Sequence, residues 1–257
     1  MLFLRIKLFG NYIISQFMDR LMLRSSFKRK AILSIFLTPL LMNISIRADK
    51  SSYKDLLVDS RVVETINIKN LMTNLLEADK KLIPIKIINP DGTYFFRYKK
   101  RIAEDDLSLE EIEKRILLGS DFFKNDRNNV RILMKKIQDL KIKSKFESID
   151  SGALGLWIPK KDLIIIDYRV IKMGSKIFLE ILRHEAIHVA QSCFSNSRNE
   201  FPIRIGLPLE FSTDINFNLS HKIYSKNSEE LLNIEREAFT YSKIDGAAIK
   251  LLNKYCK

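Results

Sequence analysis

The chain has 257 residues, 46% of them hydrophobic and 29% charged, with few glycines and prolines; this supplies material for a core and excludes long disorder. The formal charge of +13 is unevenly spread, because residues 1–48 hold eight Lys/Arg against one Asp and leave 36 basic and 30 acidic residues, or +6, in the remainder. That modest balance, with no RNP-type aromatic strand, Cys/His finger or Arg-rich stripe, excludes a nucleic-acid signature.

Residues 1–48 read as an export signal. Arg24 to Lys30 forms a basic stretch, residues 31–46 an apolar one, and Ile46-Arg47-Ala48 a cleavage site before Asp49. Met1 to Leu21 is an unusual lead for such a signal, and Met18 or Met22 is a more conventional start, which points to an over-extended reading frame. The apolar stretch is about 16 residues long and contains Pro39 and Asn43, whereas a bilayer span takes around 20 apolar residues. Cleavage is therefore expected, with the product in the periplasm, a lumen or the medium and only transient membrane contact. A membrane anchor through residues 31–46 is the alternative.

Residues 49–120 read as a smaller α+β region. Asp55 to Lys81 has helical apolar spacing, including Leu71, Met72, Leu75 and Leu76. A hairpin follows: Ile83 to Ile88, the turn Asn89-Pro90-Asp91-Gly92, and Thr93 to Tyr98. Ser108-Leu-Glu-Glu111 is a capping box that opens a helix to Leu118. Nothing in this region carries chemistry.

Residues 121–257 read as the catalytic domain. Asn129 to Ile142 is amphipathic, and Ala153 to Ile158 and Leu163 to Ile166 are strands around the turn Pro159 to Asp162. The first of these strands is either an edge that could pair with an extended peptide or a plain structural hairpin arm. Ile177 to Gln191 is a helix apolar nearly all round, with Leu179, Leu182, Ala186 and Val189 opposite His184 and His188. Ser195 to Ser228 is a long polar and aromatic connection, placed to roof a cleft. A last helix runs from Glu229 to Asn253. The fold class is thus α+β.

The chemistry concentrates in His184-Glu185-Ala186-Ile187-His188. On a helix, imidazoles at i and i+4 stand one turn apart on one face and reach a single ion, and Glu185 projects about 100° away, placed to take a proton from water. A catalytic zinc site needs a third protein ligand. Gln191 and Phe194 stand where the metzincin pattern requires Gly and His, which excludes that clan. Glu235 and Glu237, on the last helix, are the candidates; Glu200, Glu210, Glu229 and Glu230 are the other carboxylates considered. His221, Tyr224 and Tyr241 are options for an oxyanion donor, with no role assigned to His221. Cys193 and Cys256 either form a disulfide or remain as buried thiols.

The motif and Glu235-Arg-Glu-Ala238 resemble the gluzincins, zinc metallopeptidases with HExxH on one helix and a glutamate ligand on a later one. The E-x-x-A stretch is similar to that of the heat-shock and CAAX-prenyl proteases and of the repressor-cleaving metallopeptidases. The resemblance covers about 60 residues and implies a minimal zincin-like domain with a small antiparallel or mixed sheet. It implies a Zn2+ cofactor held by His184, His188 and Glu235, with Glu237 as the alternative. It also implies hydrolysis of a peptide or protein substrate, Glu185 acting as general base and then acid. Heat-shock-type sequences carry aspartate after the alanine, where this chain has Phe239, so the group orienting a ligating imidazole is left unassigned. A pseudoenzyme or binding module on the same fold is the alternative function.

Overall fold

The computed structural model describes residues 2–5, 66–99, 107–225 and 227–256. Of residues 1–48, read as an export signal, all but residues 2–5 lie outside the described residues. No helix among the described residues is long and apolar enough to cross a membrane. The fold is mixed α+β.

Strand β1 (Leu2–Arg5) joins the hairpin strands β2 (Ile85–Ile88) and β3 (Tyr94–Tyr98) in a three-stranded sheet of order β1-β3-β2. The hairpin turn closes as its sequence dictates: Asp91 accepts from the Thr93 amide and hydroxyl, and the Asn89 amide donates to the Thr93 carbonyl at 2.8 Å. The described residues divide into two units. One holds residues 66–87, 96–99, 107–225 and 227–256 with residues 2–4, and the described part of the other is Arg5 and the hairpin tip, Ile88–Phe95.

In the larger unit, α1 (Ile68–Lys80) is capped by the Asn67 side chain, and α2 (Leu109–Leu118) by Ser108, whose hydroxyl accepts from the Glu111 amide at 3.1 Å. After a 3-10 turn, Gly119–Phe123, α3 spans Lys124–Asp139, beginning five residues before its apolar pattern does because the first turn is polar. A second sheet follows, built from β4 (Lys143–Glu147), β5 (Gly155–Ile158) and β6 (Leu163–Asp167). Its order is β4-β6-β5, with β4 parallel and β5 antiparallel to the central β6, every residue of which is buried. Strand β5 is therefore an edge.

Helix α4 (Tyr168–Ile171) leads into α5 (Ser175–Phe194), which carries the motif and around which this unit is packed. Leu179, Leu182, Ala186, Ile187, Val189 and Ala190 of α5 enter one core with Leu71 and Leu75 of α1, Leu133 and Ile137 of α3, and Ile164 and Ile166 of β6. Leu71 and Leu75 come from the region read as an N-terminal extension. The start of α5 is fixed by the same region. Gly174 offers no side chain to cap it, and Asp79 does so across 96 residues, accepting from the Ser175 amide at 2.8 Å and its hydroxyl at 2.6 Å. Arg127 compensates the buried Asp79 carboxylate at 2.5 Å.

The connection after α5 is not wholly irregular: it contains α6 (Thr213–Leu219) and a 3-10 turn, Lys222–Tyr224. The last helix expected from sequence is in fact two, α7 (Glu229–Ser242) and α8 (Ala247–Tyr255), because Gly246 takes a left-handed conformation at φ +74°. A disulfide joins Cys193 at the end of α5 to Cys256 just past α8.

Candidate metal centre

Helix α5 presents His184 and His188 one turn apart, both less than a tenth exposed, and α7 packs beside it so that Glu235 reaches both rings. The Glu235 Oε2 lies 3.2 Å from His184 Nε2 and 3.4 Å from His188 Nε2, and the two Nε2 atoms are 3.0 Å apart. A tetrahedral ion with bonds of 2.0–2.1 Å has ligand-to-ligand edges of roughly 3.3–3.4 Å. The three observed separations are close to those edges, so these residues fit an ion with two imidazole ligands and one carboxylate. His184, His188 and Glu235 could hold a metal ion.

Without an ion the cluster is a strongly coupled charge system. Burial works against a charged imidazole at His188, yet the Glu235 and Glu185 carboxylates outweigh it and raise its pKa to about 9. Against the cost of its own burial, the His188 and His184 rings hold the Glu235 carboxyl well below the usual carboxylate range.

Glu185 is buried beside the cluster and outside it. Burial lifts its carboxyl above the ordinary range, opposed by the two histidines, raised further by Glu235 and opposed again by a hydrogen bond from the Trp157 backbone. Trp157 is on the edge strand β5, and its indole donates to Ser192 of α5 at 2.9 Å, locking strand to helix. Gly155 on the same strand makes room: a Cβ there would fall 2.8 Å from the Glu185 Cγ. Tyr224 completes this side. Burial and the Glu235 and Glu185 carboxylates push its hydroxyl well above the usual phenol range, so it stays protonated.

Glu237 is not brought to the histidines. It points to the other side of α7, fully buried, and accepts from Gln191 Nε2 and from the amides of Ile205, Gly206 and Leu207. Residues two apart on a helix face different ways, and here they serve different partners. Tyr241 lies on the Glu237 side, and His221 is exposed against Phe217.

The groups that hold the rings were the part least visible in sequence. Gln191 Oε1 is 2.7 Å from His188 Nδ1. Its position three residues on from His188 placed it on the same face, which could have flagged it. Phe239 packs on the His184 ring at 4.3 Å between centroids, an aromatic contact at the position after the alanine. The His184 Nδ1 has no hydrogen-bond partner within the described protein.

The chain matches no protein-family model, no curated protein and no solved structure.

Proposed function

We propose that the chain is an exported zinc-dependent metallopeptidase with a zincin-like catalytic domain, similar to the gluzincins. The observation that carries this reading is the convergence of His184, His188 and Glu235 with a buried carboxylate, Glu185, that is not part of the cluster. A purely structural site has no use for such a group. Two imidazoles and one carboxylate match the donor set of catalytic zinc sites, which keep one position open.

A zinc ion held there would supply a Lewis acid for the scissile carbonyl and an activated water. Glu185, with its carboxyl held above the ordinary range, accepts the proton of the attacking water and returns it to the leaving amine. The absence of a side chain at Gly155 leaves the space that this carboxylate occupies. The protonated Tyr224 hydroxyl, beside the Glu235 and Glu185 carboxylates, is the donor assigned to the developing oxyanion. The β5 edge binds an extended peptide backbone to backbone, which favours a peptide substrate over a small ester. The Cys193–Cys256 disulfide accords with an oxidising destination outside the cytosol.

Incubation with a mixed peptide library tests the proposal. Cleavage abolished by a chelator, restored by zinc and reduced by about 10²- to 10⁴-fold in Glu185→Gln is expected. Zinc binding without cleavage of any peptide would refute peptidase activity.

A further inference from the structure

We propose that Gln191 and Glu237 form a buried positioning relay that fixes which nitrogen of His188 faces the cation and couples that choice to the order of the loop at residues 203–207. The inference rests on the cluster being a cation site, and not on its being a peptidase.

The orientation of the Gln191 amide follows from its partners. Its Nε2 lies 3.1 Å from the Ile234 carbonyl and 2.9 Å from Glu237 Oε2, two groups that only accept, so the NH2 must face them. The amide oxygen then faces His188 Nδ1 at 2.7 Å. Since that oxygen cannot donate, Nδ1 must carry the hydrogen, and the neutral ring leaves its lone pair on Nε2, the atom that faces His184 and Glu235. A flipped amide would drive the hydrogen onto Nε2 and block the site. Glu237 and the Ile234 carbonyl therefore select the tautomer without touching the imidazole.

The far end of the relay is a loop. Glu237 Oε2 accepts from the Ile205 amide at 2.9 Å, and Oε1 from Gly206 at 3.0 Å and Leu207 at 2.8 Å. Gly206, at φ +89°, allows the chain to turn these three successive amides toward one carboxylate. Ile205 and Leu207 pack against the core on either side of it. A carboxylate satisfied in this way is shared between the loop and Gln191, so loosening one end releases the other.

Zinc affinity, limited proteolysis and the His188 tautomer test the relay in the full chain. Gln191→Leu, which keeps the volume and changes no ligand, is expected to weaken zinc binding by about 10- to 100-fold. Glu237→Gln, which places an NH2 against amide donors, is expected to weaken it in the same direction and to speed tryptic cleavage after Arg204. Nitrogen NMR of the neutral His188 ring, without metal, should show the hydrogen on Nδ1 in the wild type and a mixture of tautomers in Glu237→Gln. Zinc affinities of both variants within twofold of wild type would overturn the relay while leaving the site standing. A wild type that binds no zinc would refute the cation site, and the tautomer still decides the relay: a hydrogen on Nε2 overturns it. If Gln191→Leu fails to fold, Glu237→Gln and the tautomer measurement carry the test.

Discussion

Gly155 and Glu185 occupy adjoining space so closely that a single methyl group on the glycine would lie 2.9 Å from the glutamate Cδ, inside normal contact distance. The edge strand and the motif helix thus meet with only hydrogen between backbone and carboxylate. Gly155→Ala is expected to shift Glu185 and lower kcat by roughly 100-fold, the scale on which small misplacements of a reacting group act. Zinc content should be unchanged, since the atoms an added methyl would meet first belong to Glu185 and not to the cluster; measured kcat and metal content in one preparation check both halves.

Metal binding should compete with a proton. Without an ion His188 has a pKa of about 9, so near neutrality the ring is charged and must lose its proton to become a ligand. Apparent zinc affinity is therefore expected to rise about tenfold per pH unit as pH increases toward 9 and to flatten above it. Competition with a chromophoric chelator from pH 6.5 upward measures the slope. A flat profile below pH 8 would show that His188 is neutral in the metal-free protein.

The helix cap supplied by Asp79 predicts a large stability effect far from the metal. Asp79→Ala removes the acceptor for Ser175 and leaves Arg127 buried without its carboxylate. A loss of about 3–5 kcal/mol is expected in urea unfolding, the cost of breaking a buried ion pair from one side.

The Cys193–Cys256 disulfide closes a loop of sequence separation 63 and ties α8 to the C-terminal end of the motif helix. In the chain-entropy model it stabilises by about 4 kcal/mol. Cys256→Ala should lower the unfolding midpoint accordingly and make the protein indifferent to added reductant.

What the sequence disclosed and what it hid divide along a physical line. The motif helix, the hairpin at Asn89 to Thr93, the Ser108 cap and the candidacy of Glu235 were legible because each is a local pattern: apolar periodicity, turn chemistry or i, i+4 spacing. Strand β4 was not, since Lys143-Ser-Lys-Phe-Glu147 looks like a solvated run and becomes a strand only by parallel pairing with β6. The break between α7 and α8 was carried by Gly246 inside a continuous apolar pattern, which periodicity alone does not register. Glu235 and Glu237 looked equivalent from spacing, and the distinction comes from tertiary partners: two imidazoles for one, three loop amides and Gln191 for the other. Asp79 and Gly155 act through contacts with residues that no short-range rule connects, and Gln191, though one helical turn from His188, is oriented by Ile234 and Glu237, more than 40 residues away.

His184, His188 and Glu235 are proposed to hold one zinc ion. Metal content by mass spectrometry on the purified chain, beside His188→Ala and Glu235→Ala, tests it most directly. About one zinc per chain in the wild type, lost in both variants while their folded spectra are retained, is the expected result. A well-folded wild type without zinc after exposure to the metal would show that the cluster is no zinc site, and a Glu235→Ala variant that keeps the metal at wild-type affinity would show that Glu235 is no ligand.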